Sequence, residues 1–383
     1  MRPTRTWIVT GGNAGLGFQC SRFLAQQPGS LIVIASRDAR KGEAAAQRLR
    51  REGGAAEVLP LDLNALGAVR AFVEAFRRAD LPPLAGIVCN AGIQIITAPT
   101  QTADGFETTF GVNHLAHYLL VRLLLDDLDA GGNIVFVSSN THDPEQKTGL
   151  PEPRFDSAWA VAHDLESGAD AGRRRYTTSK LCNIYGTYEL ARQLDQSGDP
   201  RLQSIHVNAF DPGMMPGTGL ARTYPAPLRF VWNYVLPALT LFQKNVNRPS
   251  TSGRRLAALA SGQMGELKGK YVSMGEVFPS SPLSHDASKA WDLWKVSAEM
   301  TGLPGRLNVP QMPSPAFILR SPRIQTWLVE RIEKTVKGPD AAARDASSTW
   351  VWGEAKDLPR SNSITATRAA GDICPAGAAL RGR

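Results

Sequence analysis

The chain has 383 residues, 43% hydrophobic and 20% charged, a globular composition that excludes a wholly disordered protein. Its net charge of +8 raises nucleic-acid binding, but residues 301–383 carry 12 basic and 7 acidic side chains, leaving only +3 for the first 300. No basic stripe interleaved with aromatics occurs, which argues against a nucleic-acid partner.

Cys20, Cys89, Cys182 and Cys374 lie far apart, with no metal-ligand spacing. They suit free thiols in a reducing, cytoplasmic setting. No secretory signal opens the chain, and no uninterrupted apolar run reaches the roughly 20 residues that span a bilayer.

In chain order, short apolar runs stand at 6–11 (TWIVTG), 31–36 (LIVIAS), 56–61 (AEVLPL), 84–90 (LAGIVCN), 133–139 (NIVFVSS) and 204–210 (SIHVNAF). They match strands buried on both faces of a parallel sheet. Helical stretches fall between them at 15–27, 38–52, 65–78, about 103–128 and about 173–196. The alternation predicts an α/β fold, a single doubly wound Rossmann-like parallel sheet flanked by helices.

Two segments interrupt it: a polar insertion at 140–172 and an apolar, aromatic excursion at 212–262. A strand at 269–274 and a helix at 287–302 close a domain spanning residues 1–303. Residues 304–383 read as a largely irregular C-terminal extension, with one amphipathic helix over 323–336 and disorder after about 339.

The run VTGGNAGLG (9–17) follows the first strand and opens the first helix. Gly11, Gly15 and Gly17 allow a tight turn, backbone approach to a diphosphate and close packing of helix on sheet. The helix N-terminus offers unpaired N–H groups to phosphates. A purely structural glycine turn has the same look. The second strand ends in ASRDARK, where Ser36 stands in the position of the acidic residue that reads a free ribose 2′-hydroxyl. Arg37 follows and can pair with a 2′-phosphate. The cofactor expected is therefore NADP(H), against the alternative of a solvated basic patch.

In RRRYTTSKLCN (173–183), Tyr176 and Lys180 are four apart and share a helix face. An ammonium beside a phenol favours the phenolate and lowers its pKa. The preceding arginines read as the start of the helix.

Together these segments resemble the short-chain dehydrogenase/reductases over about residues 5–303. The motifs are TGGNAGLG, LDL (61–63), NAG (90–92), VNHLAHYLL (112–120), VFVSS (135–139), YTTSK (176–180) and DPG (211–213). The resemblance implies a catalytic set of Asn113, Ser139, Tyr176 and Lys180, with Ser139 rather than Ser138 bonding the substrate carbonyl. It implies that Asn113 holds a water linking Lys180 to solvent. Cofactor contacts are implied for Gly11, Asn13, Gly15, Leu16, Gly17, Arg37, Asp62, Leu63, Asn90, Ala91, Gly92, Pro212, Gly213 and Met215, besides Tyr176 and Lys180. No metal is expected.

Within the family, FGVNHLAHYLLVRLLLDDL and YTTSKLCNIYGTYELARQL resemble the protochlorophyllide reductase and retinol dehydrogenase branch. Met214 replaces a cysteine typical of the protochlorophyllide reductases after PG, and Gly92 departs from their usual NAA. The resemblance implies hydride transfer on a hydrophobic alcohol or carbonyl, with C=C reduction or a catalytically silent NADP-binding regulator as alternatives.

The excursion carries Met214, Met215, Tyr224, Phe230, Trp232, Tyr234 and Phe242 where the family places its substrate lid. An apolar lid suits a lipophilic substrate. The alternatives to a lid are a core helix pair, an oligomer contact or, over 224–242, a peripheral membrane contact.

Overall fold

The computed structural model describes residues 2–215, 247–307, 350–353 and 365–368. The chain divides into two compact units, Met1–Val309 and Pro310–Arg383.

In the first unit the chain runs β1 (Arg5–Thr10), α1 (Gly15–Ala25), β2 (Ser30–Ser36), α2 (Ala39–Arg51), β3 (Ala55–Pro60), α3 (Leu66–Arg78) and β4 (Leu84–Cys89). After a loop come α4 (Thr108–Phe110), a π-helical turn (Gly111–Leu115), α5 (Ala116–Leu124) and β5 (Leu128–Val137). The insertion holds two 3-10 turns, Asn140–His142 and Pro144–Gln146, and α6 (Ala158–Ala162). Then follow α7 (Ala169–Asp195), α8 (Pro200–Gln203), β6 (His206–Asp211), α9 (Pro249–Ala260), β7 (Lys270–Ser273), β8 (Glu276–Val277) and α10 (Ala287–Thr301).

The eight strands lie in the order β3-β2-β1-β4-β5-β6-β7-β8, parallel except for the antiparallel β7–β8 edge hairpin. The expected doubly wound sheet is present. Every residue of β2 is buried, as are all but one in each of β1 and β4, because helices cover both faces. One core layer joins Phe72 and Phe76 of α3, Leu119 and Leu120 of α5, Leu194 of α7 and Trp294 of α10. The other joins Leu24 of α1, Leu49 of α2 and Leu256 of α9. Strand order reverses between β1 and β4, so the loops after their carboxyl ends splay apart and leave a crevice, the usual ligand position in such sheets.

Three local expectations need correction. The single helix over about 103–128 begins only at Thr108, where the Glu107 carboxylate caps the amides of Thr109 and Phe110 (2.8 and 2.7 Å). A π turn interrupts that helix. β5 starts at Leu128, five residues early, because Leu128 pairs with Leu84 before a register shift. α7 starts at Ala169, so the arginines at 173–175 lie inside the helix rather than at its start.

In the second unit, β9 (Trp350–Gly353) and β10 (Thr365–Arg368) pair antiparallel. The aromatic stretch at 224–242, most of the lid at 212–262 and the helix expected at 323–336 lie outside the described residues. Among the described residues no helix is long and apolar enough to cross a membrane, and no cluster of metal-ligating side chains occurs.

Candidate active site

The glycine loop after β1 is shaped by positions that only glycine fills without strain. Gly11 and Gly15 have φ of +64° and +54°. A Cβ on Gly17 would sit 2.4 Å from Asn90 Nδ2 and 2.5 Å from Gly11 O, so this residue lets α1 close onto the ends of β1 and β4. α1 has no side-chain cap at Ala14 and no acid in its first turn, which leaves its first amides to an outside acceptor. A Cβ on Gly15 would meet nothing within 4 Å, so the space over those amides is open. Uncapped donors beneath open space fit a diphosphate. Asn13 is half-buried here and Leu16 is buried.

Thr10, which the sequence reading missed, holds the other wall. Its Oγ1 accepts from the amides of Asn90 (2.9 Å) and Ala91 (3.0 Å), while Asn90 Nδ2 donates to Thr10 O (2.7 Å). The Thr10 hydroxyl then donates to His117 Nε2 (2.9 Å), leaving Nδ1–H to donate to Asn113 O (3.3 Å). Burial pushes the His117 pKa down to about 4, so the ring is neutral and this tautomer fits it. Its place in the VNHLAHYLL motif was the only hint in the sequence.

At the end of β2, Ser36 is buried and its Oγ donates to Asp38 O (3.1 Å). Arg37 is exposed and makes no ion pair among the described residues. Asp38 is occupied as the cap of α2, accepting from the Lys41 amide (3.1 Å). After β3, Asp62 Oδ1 accepts from Asn64 N (3.0 Å), and Leu63 is buried. At the end of β6, Asp211 accepts from the Gly213 amide (3.0 Å) and from Ser273 Oγ (2.8 Å). Ser252 Oγ donates to Pro212 O (2.7 Å), and Met215 packs half-buried against the layer containing α1.

The helix spacing does bring Tyr176 and Lys180 together: Nζ lies 5.4 Å from the phenol ring centroid, with both residues buried. Nζ donates to Val137 O at the end of β5 (3.0 Å), a carbonyl that also accepts from Asn183 Nδ2 (3.1 Å). Burial pushes the Lys180 pKa down to about 8, against a smaller opposing pull from Asp211. A Cβ on Gly92 would stand 3.4 Å from Asn113 Oδ1 and 3.7 Å from Lys180 Nζ, so the missing side chain leaves room over both groups.

Asn113 sits in the π turn, a geometry that tends to mark functional positions. Its Oδ1 accepts from Ile93 N (2.8 Å), and its Nδ2 donates to Ile93 O (2.9 Å) and Ser179 Oγ (3.0 Å). The second lone pair of Oδ1 is what the expected water would use. Ser138 and Ser139 differ sharply. Ser138 is buried with its hydroxyl spent on Lys180 O (2.8 Å), whereas Ser139 is half-buried with only long bonds to Thr141 N (3.3 Å) and Asn140 Oδ1 (3.5 Å).

Arg175, beside Tyr176, was also missed. It is buried in an ion pair with Glu107 (3.4 Å) and donates to Glu166 O (2.6 Å). Glu107 caps the helical run containing the π turn, so this pair clamps the segments carrying Asn113 and Tyr176. Burial raises the Glu107 pKa while its backbone bonds and Arg175 oppose the rise.

The short chain dehydrogenase family matches residues 5–148. Protochlorophyllide reductase A of Arabidopsis thaliana is 32% identical over 318 residues, covering 77% of this chain and 76% of that protein. The chain belongs to the short-chain dehydrogenase/reductase family. Its resemblance to the protochlorophyllide reductase branch accordingly holds, and it is an oxidoreductase of that family. A crystal structure of an uncharacterized protein from Mycobacterium Paratuberculosis is 28% identical with a TM-score of 0.58, covering 79% of this chain and 94% of that one. A blue fluorescent protein from a metagenomic library, solved with NADPH, shares the fold at 22% identity and a TM-score of 0.51, covering 73% of this chain and 99% of that one.

Proposed function

We propose that this short-chain dehydrogenase/reductase is NADP(H)-dependent and moves a hydride between the nicotinamide and a hydrophobic alcohol or carbonyl, with Tyr176 as general acid and base. The observation that carries this is the buried Tyr176–Lys180 pair, with Gly92 placing no side chain against Lys180 Nζ or Asn113 Oδ1. The uncapped amides of α1 would hold the diphosphate and Arg37 the 2′-phosphate. Bound NADPH would supply the hydride.

Reduction of a carbonyl gathers negative charge on its oxygen. The hydroxyls of Ser139 and Tyr176 would donate to that oxygen, a stabilisation of a few kcal/mol. Tyr176 would then give up its proton. Lys180, still mostly protonated at neutral pH with a pKa near 8, favours the phenolate that remains. Its single bond to Val137 O leaves further ammonium protons for the nicotinamide ribose.

The names of the relatives favour a second reading, reduction of an activated C=C bond in a tetrapyrrole. Met214 and Gly92 depart from that branch, so the carbonyl reading stands first. NADPH oxidation measured against retinal, a steroid ketone, a medium-chain aldehyde and protochlorophyllide, the last in dark and light, separates the two. Turnover on a carbonyl is expected; turnover confined to protochlorophyllide would replace the first reading by the second.

The 2′-phosphate assignment has its own check. Arg37→Asp should reverse the preference from NADPH toward NADH, by about ten-fold or more in kcat/KM, because a charge-assisted bond becomes a repulsion. An unaltered preference would mean that the phosphate is held elsewhere.

A further inference from the structure

We infer that His142 is a positioning residue for Ser139, holding the serine's backbone so that its hydroxyl meets the substrate oxygen. The inference rests on reading Ser139 as a donor to that oxygen, and it concerns a residue outside the catalytic set named above.

Ser139 lies just beyond the end of β5, where ladder hydrogen bonds no longer hold the chain. Its own hydroxyl makes only the two long bonds already described, so the side chain can turn to a ligand but its backbone needs an anchor. That anchor is His142. Its Nδ1 lies 2.7 Å from Ser139 O, and its amide donates to the same oxygen (3.2 Å). On the other side of the ring, Nε2 accepts from Ser281 N (3.0 Å).

These two ring contacts admit one protonation state. A backbone N–H can only donate, so Nε2 must carry the lone pair and Nδ1 the proton. An imidazolium would set two N–H groups against each other at Ser281. The ring is buried, it stands edge-on to Tyr271 of β7 with centroids 5.0 Å apart, and Asp143 and Asp211 are the charged groups near it. Burial outweighs both acids and keeps the imidazole below its ordinary pKa.

His142 thus ties the end of β5 to a segment 139 residues away, and through Tyr271 it leans on the strand beside Asp211. A core histidine serving only as filler would not need both nitrogens engaged by backbone groups from two separate segments. Small displacements of a reacting group are costly, so loosening this anchor should show in the chemical step.

The test is a double-mutant cycle with NADPH and phenanthrenequinone, an activated diketone. His142→Leu should lower kcat about ten-fold or more while NADPH affinity stays unchanged. On a Ser139→Ala background the same change should have little further effect, because the group being positioned is already gone. His142→Gln should restore much of the loss, since its amide can both donate to Ser139 O and accept from Ser281 N. An equal fold-loss in both backgrounds would overturn the inference and make His142 a packing residue only. Full turnover by Ser139→Ala would instead remove the serine from the mechanism, an outcome distinct from failure of the anchor.

The resting state can be read without variants of uncertain folding. Nitrogen NMR of the histidine-labelled protein should show a neutral ring protonated at Nδ1 and giving no other tautomer. A signal from His142 protonated at Nε2 would contradict the anchor.

Discussion

Tyr176→Phe is expected to cut turnover on any accepted carbonyl by roughly 10²- to 10⁴-fold, the usual worth of a positioned proton donor. The phenyl ring fills the same space, so packing around the buried side chain is kept. NADPH binding should change little, because the diphosphate amides, Arg37 and Lys180 are untouched. Stopped-flow measurement of NADPH oxidation, paired with a fluorescence titration of the cofactor, separates the two quantities. Turnover at the wild-type rate would remove the tyrosine from the chemistry and leave a nucleotide-binding protein whose proton comes from elsewhere.

The second large effect concerns Lys180 and runs in opposite directions for activity and stability. Burial lowers its pKa from 10.5 to about 8, so keeping the ammonium buried costs on the order of 3 kcal/mol at neutral pH. Lys180→Met should abolish turnover and yet raise the thermal stability of the cofactor-free protein. Val137 O does not lose its last partner in the variant, since Asn183 Nδ2 still donates to it.

The sign of the pH dependence follows from proton counting. Between pH 8 and 10.5 the unfolded chain keeps a proton on this lysine that the folded chain has released, so the lysine's contribution to stability rises with pH across that window. Below it the full cost is present. The stability gap between variant and wild type should therefore be widest at neutral pH and shrink as pH climbs toward 10. A melting temperature lower in Lys180→Met than in wild type at pH 7 would mean that the buried ammonium is stabilised rather than strained.

A buried charge retained at such a cost is what the proposed mechanism requires. A lysine free in water would be no less charged, but it would be screened from the phenol and held in no fixed relation to it. Tyr176 and Lys180 stand on one helix face in a dry setting, and the clamp between Glu107 and Arg175 fixes that helix against the one bearing Asn113. Losing Arg175 would leave the buried Glu107 carboxylate without its cation, a change that usually costs about 3–5 kcal/mol, whereas Arg175 without Glu107 keeps an ion pair with Asp164 (3.9 Å).

Helices α6, α8 and α9 and the edge strand β8 went unread, but the sequence by itself determined the order of strands β1–β7 and of helices α1–α3, α5, α7 and α10, the glycine turn after β1, and the pairing of Tyr176 with Lys180. Each of these is written in residues close along the chain, where periodicity, glycine spacing and the rise of a helix act directly. The π turn under Asn113 was not legible, because its apolar pattern is the same as that of an ordinary helix. Only the tertiary structure decided what secures the site. Thr10 meets His117 across 107 residues and His142 meets Ser281 across 139, and Arg175 finds Glu107 only once α7 has packed. Such partners are chosen by where buried polar groups come to rest, since each must find a hydrogen bond once water is gone. No local pattern in the chain records which distant group will supply it.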